Sequence, residues 1–525
     1  HALDGGLLPT RVAWKLGAEL ARQARQQGQQ GSEAVVLWAS DTVRDEGAMV
    51  AFGLEMLGVR PVWNARGIVK ALERLPLEDR SRRDVIFTTS GLFRDLYGNL
   101  LVWLDLAARL ALDGSSLTIR RDYPELVPAL EAALGPLAEL ADPGSEPLAA
   151  NRVAAHWVAA ARRALAAGLD RVSAGEQAIL RIFGDAPGAY GAGVNRLAER
   201  SGAWQARSEL AQVYLTRMGH AYGSGLAGQP AHEAFQGQLA TVARTYLGRA
   251  SNLYGLMDNN DAFDYLGGLS LAVETVAGRV PEGRVVRHAD PRQATVEPLA
   301  TALLQELRGR YLNPGWLKPL MNHGYAGART MGSEFLEYLW GWQVTNPDII
   351  RPWVWDEVKR VYLDDALGLG LNEFLEQGSN VHIKTNMLAI LLVAQHKGFW
   401  QPDPRTLAQL REDFAQLVAE HGLPGSGHTR PDHPMLLALL EQLEGELQAE
   451  LTAVLAAARG ELLDFEPVAT TVAEIQPQDQ PPAKPDQPAS EQTLAVRLPA
   501  WLPVAVVLLL LAGLLNGWRG GRYAR

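Results

Sequence analysis

The side chains able to move protons or hold metal ions fall into a few short stretches of this chain. Residues 421–434, HGLPGSGHTRPDHP, hold three of the eleven histidines, with Gly and Pro shaping a loop. His428 and His433 are too irregularly spaced for a helical metal pair, yet a loop can converge two imidazoles on one proton or one metal ion. Asp258, Asp261 and Asp264 recur at every third position of LMDNNDAFDYLGG. On a helix they share a face; in a loop they can gather a hard cation. A solvated acidic turn is the alternative, and the spacing lacks the Gly and closing Glu of a calcium-binding helix–loop–helix site. His323 stands beside Gly324 and Tyr325, in a turn rather than a core stripe, as an acid–base candidate or a structural histidine. Ser40, Asp41 and Arg44 follow one β-branched run, and Ser90, Gly91, Arg94 and Asp95 follow another. An Arg–Asp pair there can orient a ligand carboxylate through two parallel hydrogen bonds, or can cap a helix start internally.

Residues 181–195, RIFGDAPGAYGAGVN, place four glycines and one proline between positions 184 and 193. Such a run cannot hold a helix or a central strand. It can expose successive backbone N–H groups as an anion site, with Tyr190 offering a flat ring and a phenol and Asn195 closing the stretch. A macrocycle carrying carboxylates suits that combination; a tight surface loop is the plain alternative.

The elements that must position these residues read as follows. Residues 34–39, AVVLWA, and 84–89, DVIFTT, are buried strands, and 58–63 starts a third. Helices are expected over 7–29, 43–57 and 96–112. Strands alternating with helices predict a parallel sheet, with ligands beyond the carboxyl ends of its strands. This gives a flavodoxin-like α/β domain over residues 30–115, after an opening segment 1–29. Residues 116–465 read as mainly helical, with helices over 204–222, 232–254, 299–311, 333–342, 353–363, 381–398, 404–421 and 435–463. Residues 466–497 are a Pro/Gln/Asp-rich linker with no apolar periodicity. Residues 498–518 reach the roughly 20 needed to span a bilayer. Trp501 and Trp518 stand at the edges, and Arg519, Arg522 and Arg525 occupy a basic tail at 519–525. That arginine bias places the tail in the cytoplasm and the body outside it, in a single-pass protein of a bacterial inner membrane.

Net charge is −10, which argues against bulk nucleic-acid binding. The absence of cysteine excludes disulfides and thiolate chemistry. The nearest approach to a nucleotide-binding P-loop, NVHIKT at 380–385, lacks the glycine before Lys384.

RIFGDAPGAYGAGVN resembles a loop of the large tetrapyrrole-binding subunit of cobaltochelatase and, less closely, of the H-type subunit of magnesium chelatase. HALDGGLLPT at 1–10, AVVLWASDTVRDEG at 34–47, GVRPVW at 58–63, TTSGLFRDLYGN at 88–99 and LNPGWLKPLMNHGYAGA at 312–328 resemble the same family in the same order. The resemblance implies a piece corresponding to the carboxyl-terminal third of a larger subunit, with His1 as a further catalytic candidate. Where the family carries His-Gly-Gly after its acidic residues, this chain has Leu266-Gly267-Gly268. The resemblance implies no permanently bound cofactor, a tetrapyrrole substrate, a divalent metal (cobalt or iron) as substrate or product, and ATP used only through separate ATPase partner subunits. Three functions follow as expectations: cobalt insertion into a corrin precursor, as in cobalamin biosynthesis; iron release from haem by a membrane-anchored dechelatase; or tethered tetrapyrrole or metal carriage without catalysis.

Overall fold

The computed structural model describes residues 5–460, apart from 27, 29–30 and 79–80. Within these residues ten strands form: β1 (Ser32–Leu37), β2 (Val59–Trp63), β3 (Val69–Arg74), β4 (Val85–Thr89), β5 (Ile182–Gly184), β6 (His220–Gly223), β7 (Leu226–Pro230), β8 (Val242–Arg249), β9 (Glu282–Arg287) and β10 (Thr295–Pro298). Eight of them make one sheet in the order β10-β9-β8-β1-β4-β5-β6-β7. Pairing is parallel from β9 through β8, β1 and β4 to β5, and antiparallel at both edges. The chain leaves β1 toward β4 and β5, and only later returns to lay β8 on the other side of β1. That reversal makes the carboxyl end of β1 a topological switch point, where a crevice opens between diverging connections.

The strand β1 is buried along its whole length, and its alternate side chains enter two different cores. Ala34 and Val36 pack with Ile86 and, further out, with the helical layer that carries Trp340 and Trp342. Val35 and Leu37 pack with Phe87 and the helices Ala48–Leu57 and Gly98–Asp113. The sheet is therefore covered on both faces, which its continuous apolar strands require.

Several expectations need correction. The sheet does not close within residues 30–115: six of its eight strands lie beyond residue 115, and the described residues belong to one compact unit. The segment 58–63 is not a third parallel strand. It pairs antiparallel with β3 in a separate two-stranded sheet, because Pro61 cannot donate to a central ladder. The helices expected at 204–222 and 232–254 stop at Arg217 and Leu239, and β6 and β8 follow. A largely buried strand such as β8 has no period that separates it from a buried helix. The single helix expected at 435–463 is two, Pro434–Leu440 and Gly445–Ala458. The helix Pro404–His421 forms as read, with Asp403 accepting from the N–H groups of Arg405 and Thr406.

Among the described residues three π-turns interrupt the helices, at Phe263–Gly267, Leu307–Tyr311 and Thr330–Leu336. Such turns are costly and recur at functional sites; here the first carries Asp264 and the third ends against Glu337. Among the described residues no helix is long and apolar enough to cross a membrane. The linker at 466–497, the apolar span at 498–518 and the basic tail at 519–525 lie outside the described residues, as does His1.

Candidate functional site

A cleft of about 490 Å³ opens at the carboxyl ends of β1, β4 and β8. Each strand runs directly into a wall of it: Trp38, Ser40, Asp41 and Arg44 after β1, Ser90, Gly91 and Leu92 after β4, and Gly248 and Arg249 at the end of β8. Tyr190, Gly191, Tyr254, Asp261 and Tyr265 also line it. A second hollow of about 370 Å³ shares Tyr190, Gly191 and Asp261 with the first and adds Asn195, Arg196, Glu199 and Glu337. Of the two groups expected to open on one crevice, Ser40, Asp41 and Arg44 and then Ser90 and Gly91 reach one cleft, whereas Arg94 and Asp95 do not line it.

Asp41 lies on the helix Ala39–Asp45, 9% exposed, and accepts a 3.3 Å hydrogen bond from the Ala250 N–H. Burial, reinforced by Asp45 nearby, pushes its carboxyl up to about 6, against the opposing pull of His288 and Arg44. Behind it, buried His288 donates from Nδ1 to the Val286 carbonyl at 2.8 Å and meets Asp45 Oδ2 through Nε2 at 2.8 Å. The carboxylate beside it raises the His288 imidazole above its ordinary value despite burial. Arg44 is exposed and lies 5.7 Å over the Tyr254 ring. Among the described residues it makes no ion pair, and its guanidinium lines the cleft.

Arg94 is placed differently from the expectation for a ligand-binding arginine. Its Nε and Nη2 donate to Asp95 at 2.7 and 3.1 Å, and its Nη1 donates to Asp185 Oδ1 at 2.7 Å and to the carbonyls of Ala186 and Ala189 at 2.8 and 3.2 Å. All three guanidinium nitrogens bond inside the protein, so the internal pairing is the one realised. Ser90 caps the helix Gly91–Leu96 by accepting from the Phe93 N–H, while still lining the cleft. Asp95 accepts from the Tyr190 hydroxyl at 2.6 Å, and the Tyr190 ring lies 5.5 Å from the Arg94 guanidinium. Gly91 makes this docking possible: a Cβ there would sit 2.7 Å from the Tyr190 ring and 2.8 Å from the Ala189 carbonyl.

The glycine-rich loop does present a nest of N–H groups, but the protein fills it with its own anion. Asp264 Oδ2 accepts from Ala192 N at 2.8 Å and Gly193 N at 3.3 Å, and Oδ1 accepts from Asn195 N at 3.0 Å. Gly193, at φ 85°, supplies the left-handed backbone this requires. Asn195 itself lines the second hollow. The expected metal site of Asp258, Asp261 and Asp264 is therefore corrected. Asp264 is spent on the nest, and Asp258 is taken by Arg310, Tyr311 and the Gly255 N–H. Asp261 alone faces the cleft, its carboxyl raised by burial. Among the described residues no three acidic or histidine side chains are grouped to hold a metal ion.

Burial pushes the Asp264 carboxyl up to about 6 in spite of its three N–H donors. Its folded value thus exceeds the ordinary carboxylate value, and its contribution to stability is complete below about pH 4 and lost as pH rises through about 6. Asp264→Asn keeps an acceptor for part of the nest and cannot ionise. We expect a loss of about 1–2 kcal/mol at pH 5 and a flatter stability profile between pH 4 and 6, read by urea denaturation. An unchanged pH slope would show that Asp264 does not titrate in that window.

His428 and His433 do not face the cleft. They are 0% and 2% exposed, and both contact Ser201 Oγ, at 2.7 and 2.9 Å. His433 also caps the helix Pro434–Leu440, its Nδ1 accepting from the Met435 N–H. The expected direct catalytic role for this pair is corrected, because both rings are buried and neither lines either hollow. His323 stands exposed after the helix Pro314–Met321, outside the linings of both hollows. Glu337, Glu199 and Arg196 had no signal in sequence: none belongs to a spaced motif, and each lines the second hollow only through the packing of two distant helices.

Residues 1–407 match the model of the CobN/magnesium chelatase family. The aerobic cobaltochelatase subunit CobN of Pseudomonas aeruginosa is 32% identical over 428 residues, covering 80% of this chain and 31% of the relative. The H-type subunit of magnesium chelatase from Cereibacter sphaeroides is 33% identical over 419 residues, covering 78% of this chain and 31% of the relative. The solved structure of the catalytic subunit of cobaltochelatase from Mycobacterium tuberculosis superposes with a TM-score of 0.68 at 29% identity, over 79% of this chain and 32% of that one. The chain spans 31% of the length of these curated relatives.

Proposed function

The chain belongs to the CobN/magnesium chelatase family, and from that premise we propose that it is part of a tetrapyrrole-binding chelatase subunit whose cleft beyond β1, β4 and β8 receives the macrocycle. One observation carries the reading. A buried carboxylate raised to about 6 lies with an arginine that has no ion pair among the described residues, in a cleft that also carries the exposed side chains of Leu92, Tyr190 and Tyr254. Flat apolar faces suit the aromatic rim, and peripheral carboxylates suit Arg44. Metal insertion breaks two pyrrole N–H bonds while the metal sheds water and bonds to nitrogen. Asp41 takes one of those protons, a task for which a value near the working pH is best.

The finer reading is cobaltochelatase-like: cobalt insertion into a corrin precursor, driven by separate ATPase subunits, with the metal as substrate rather than a resident ion. A second reading is iron release from haem outside the cytoplasm, with Asp41 returning the proton. It draws on the apolar run at 504–515 between Trp501 and Trp518 and the three arginines that follow. Protease added to spheroplasts separates the two. A body degraded before lysis puts cytoplasmic ATPases out of reach; a body that resists until lysis removes the second reading.

The site itself is tested by titrating the full-length protein with metal-free protoporphyrin and with haem and recording the visible spectrum. Absence of any spectral shift with both would overturn the proposal. Within that assay, Arg44→Ala should weaken porphyrin dicarboxylate binding by about 10–100-fold, the worth of one charge-assisted contact, without lowering the melting temperature. Equal affinity for wild type and variant would remove Arg44 from the site.

A further inference from the structure

Three buried side chains and a half-buried glutamate form a chain that ends at the second hollow, with hydrogens that all run one way. The Met435 N–H donates to His433 Nδ1 at 3.0 Å. An amide nitrogen only donates, so Nδ1 is the acceptor, and burial holds this ring neutral with its value pushed down to about 4. The ring hydrogen is then on Nε2, 2.9 Å from Ser201 Oγ. Having accepted there, the Ser201 hydroxyl turns its hydrogen to His428 Nδ1 at 2.7 Å. His428 in turn carries its hydrogen on Nε2 and donates to Glu337 Oε2 at 2.9 Å.

The chain joins four separate segments. Ser201 opens the turn Ser201–Ala203, His428 sits in the turn Gly427–Thr429, His433 caps the helix Pro434–Leu440, and Glu337 begins the helix Glu337–Thr345 directly after a π-turn. The Trp340 ring stands edge-on to His428 at 5.9 Å and closes it from solvent. The far end is not closed. Glu337 is 16% exposed and lines the second hollow, and among the described residues its Oε1 takes no hydrogen bond. Glu199 lines the same hollow, its carboxyl raised by burial and by the neighbouring Glu337 charge.

We propose that Glu337 is the second proton-accepting carboxylate of the cleft, aimed into the second hollow by this chain, and that His428 is a positioning residue acting through it. The proposal rests on the chelatase reading. Metal entry releases two protons, and Asp41 in the first hollow takes one. At Glu337 a pyrrole N–H bond breaks, an O–H bond forms on Oε1, and the electron pair stays on nitrogen for the metal. In the release direction the same group returns its proton.

Two measurements test it on the full-length protein. The first uses ¹⁵N-histidine NMR: the hydrogen-bond order requires both His428 and His433 as Nε2–H tautomers, and an Nδ1–H on either ring overturns the chain without reference to activity. The second uses metal-free protoporphyrin and divalent cobalt as probes, with the partner subunits present. Glu337→Gln should lower kcat by about 30-fold or more with KM within about threefold and the melting temperature kept. His428→Ala should lower kcat by about tenfold, and His428→Gln, which keeps an N–H toward Glu337, should recover most of it. A Glu337→Gln enzyme with wild-type kcat, or with kcat and KM lost together, overturns the proposal alone. A wild-type protein that neither binds porphyrin nor changes its metal content overturns the chelatase reading, and this proposal with it.

Discussion

Asp41→Asn is expected to lower turnover by about 10²–10³-fold while porphyrin affinity stays within a few-fold of wild type. The carboxamide fills the same space at the end of β1 and can still accept from the Ala250 N–H, so the cleft wall is kept. What it loses is a group that exchanges a proton near neutrality. Asp41 is raised to about 6 chiefly by burial, so in wild type it is mostly protonated below that value and a competent base above it. For metal insertion the rate should rise through about pH 6, and the Asn variant should lack that limb. Stability moves the opposite way: a raised carboxyl contributes most below its unfolded value and loses that contribution as pH rises through about 6. Stopped-flow absorbance over pH 5–8 reads the first, and urea midpoints over the same range read the second. Unchanged turnover in the variant, or an identical pH limb, would assign the proton transfer elsewhere.

Arg94→Ala should cost the fold rather than only the ligand. The guanidinium sits 6% exposed against Asp185 at 1%, and it holds Asp95 and two carbonyls of the glycine-rich loop besides. Removing one partner of a buried pair costs about 3–5 kcal/mol, because the other partner is left in a place that does not solvate it. Burial has already pushed Asp185 up to about 6, so without Arg94 it takes a proton and stops anchoring the loop. The expected result is a clear fall in denaturant midpoint and protease cleavage within residues 184–193. Arg94→Lys should rescue little, since one ammonium cannot reproduce a fork that reaches both Asp95 and Asp185. If Arg94→Ala keeps its midpoint and loses porphyrin binding alone, Arg94 contacts ligand directly and its internal bonds are incidental.

These two residues show how far residue order carries. Both follow strands that are legible in sequence, since AVVLWA and DVIFTT are short apolar runs carrying β-branched and aromatic residues and bounded by polar ones. Parallel strands put whatever follows them at one end of a sheet, so a common crevice for residues 40–44 and the residues just after Thr89 is implied by residue order alone. The helix at 404–421 is legible for the same local reason: Asp403 and Pro404 are its start signals. What residue order cannot reveal is which charged group is left over for a ligand. Arg94 and Arg44 look alike along the chain, but Asp185, 91 residues away, consumes one and nothing among the described residues consumes the other. The loop around Tyr190 reads as an anion nest and is one, but Asp264 arrives from 72 residues away to fill it. His428 reads as a loop histidine and is instead buried, passing a hydrogen bond to a glutamate 91 residues distant. Strands, helices and turns follow from local periodicity and backbone stereochemistry. The fate of a donor or a charge follows from whichever partner tertiary packing brings within about 3 Å, and for Arg94, Asp264 and His428 the deciding partner comes from a distant segment.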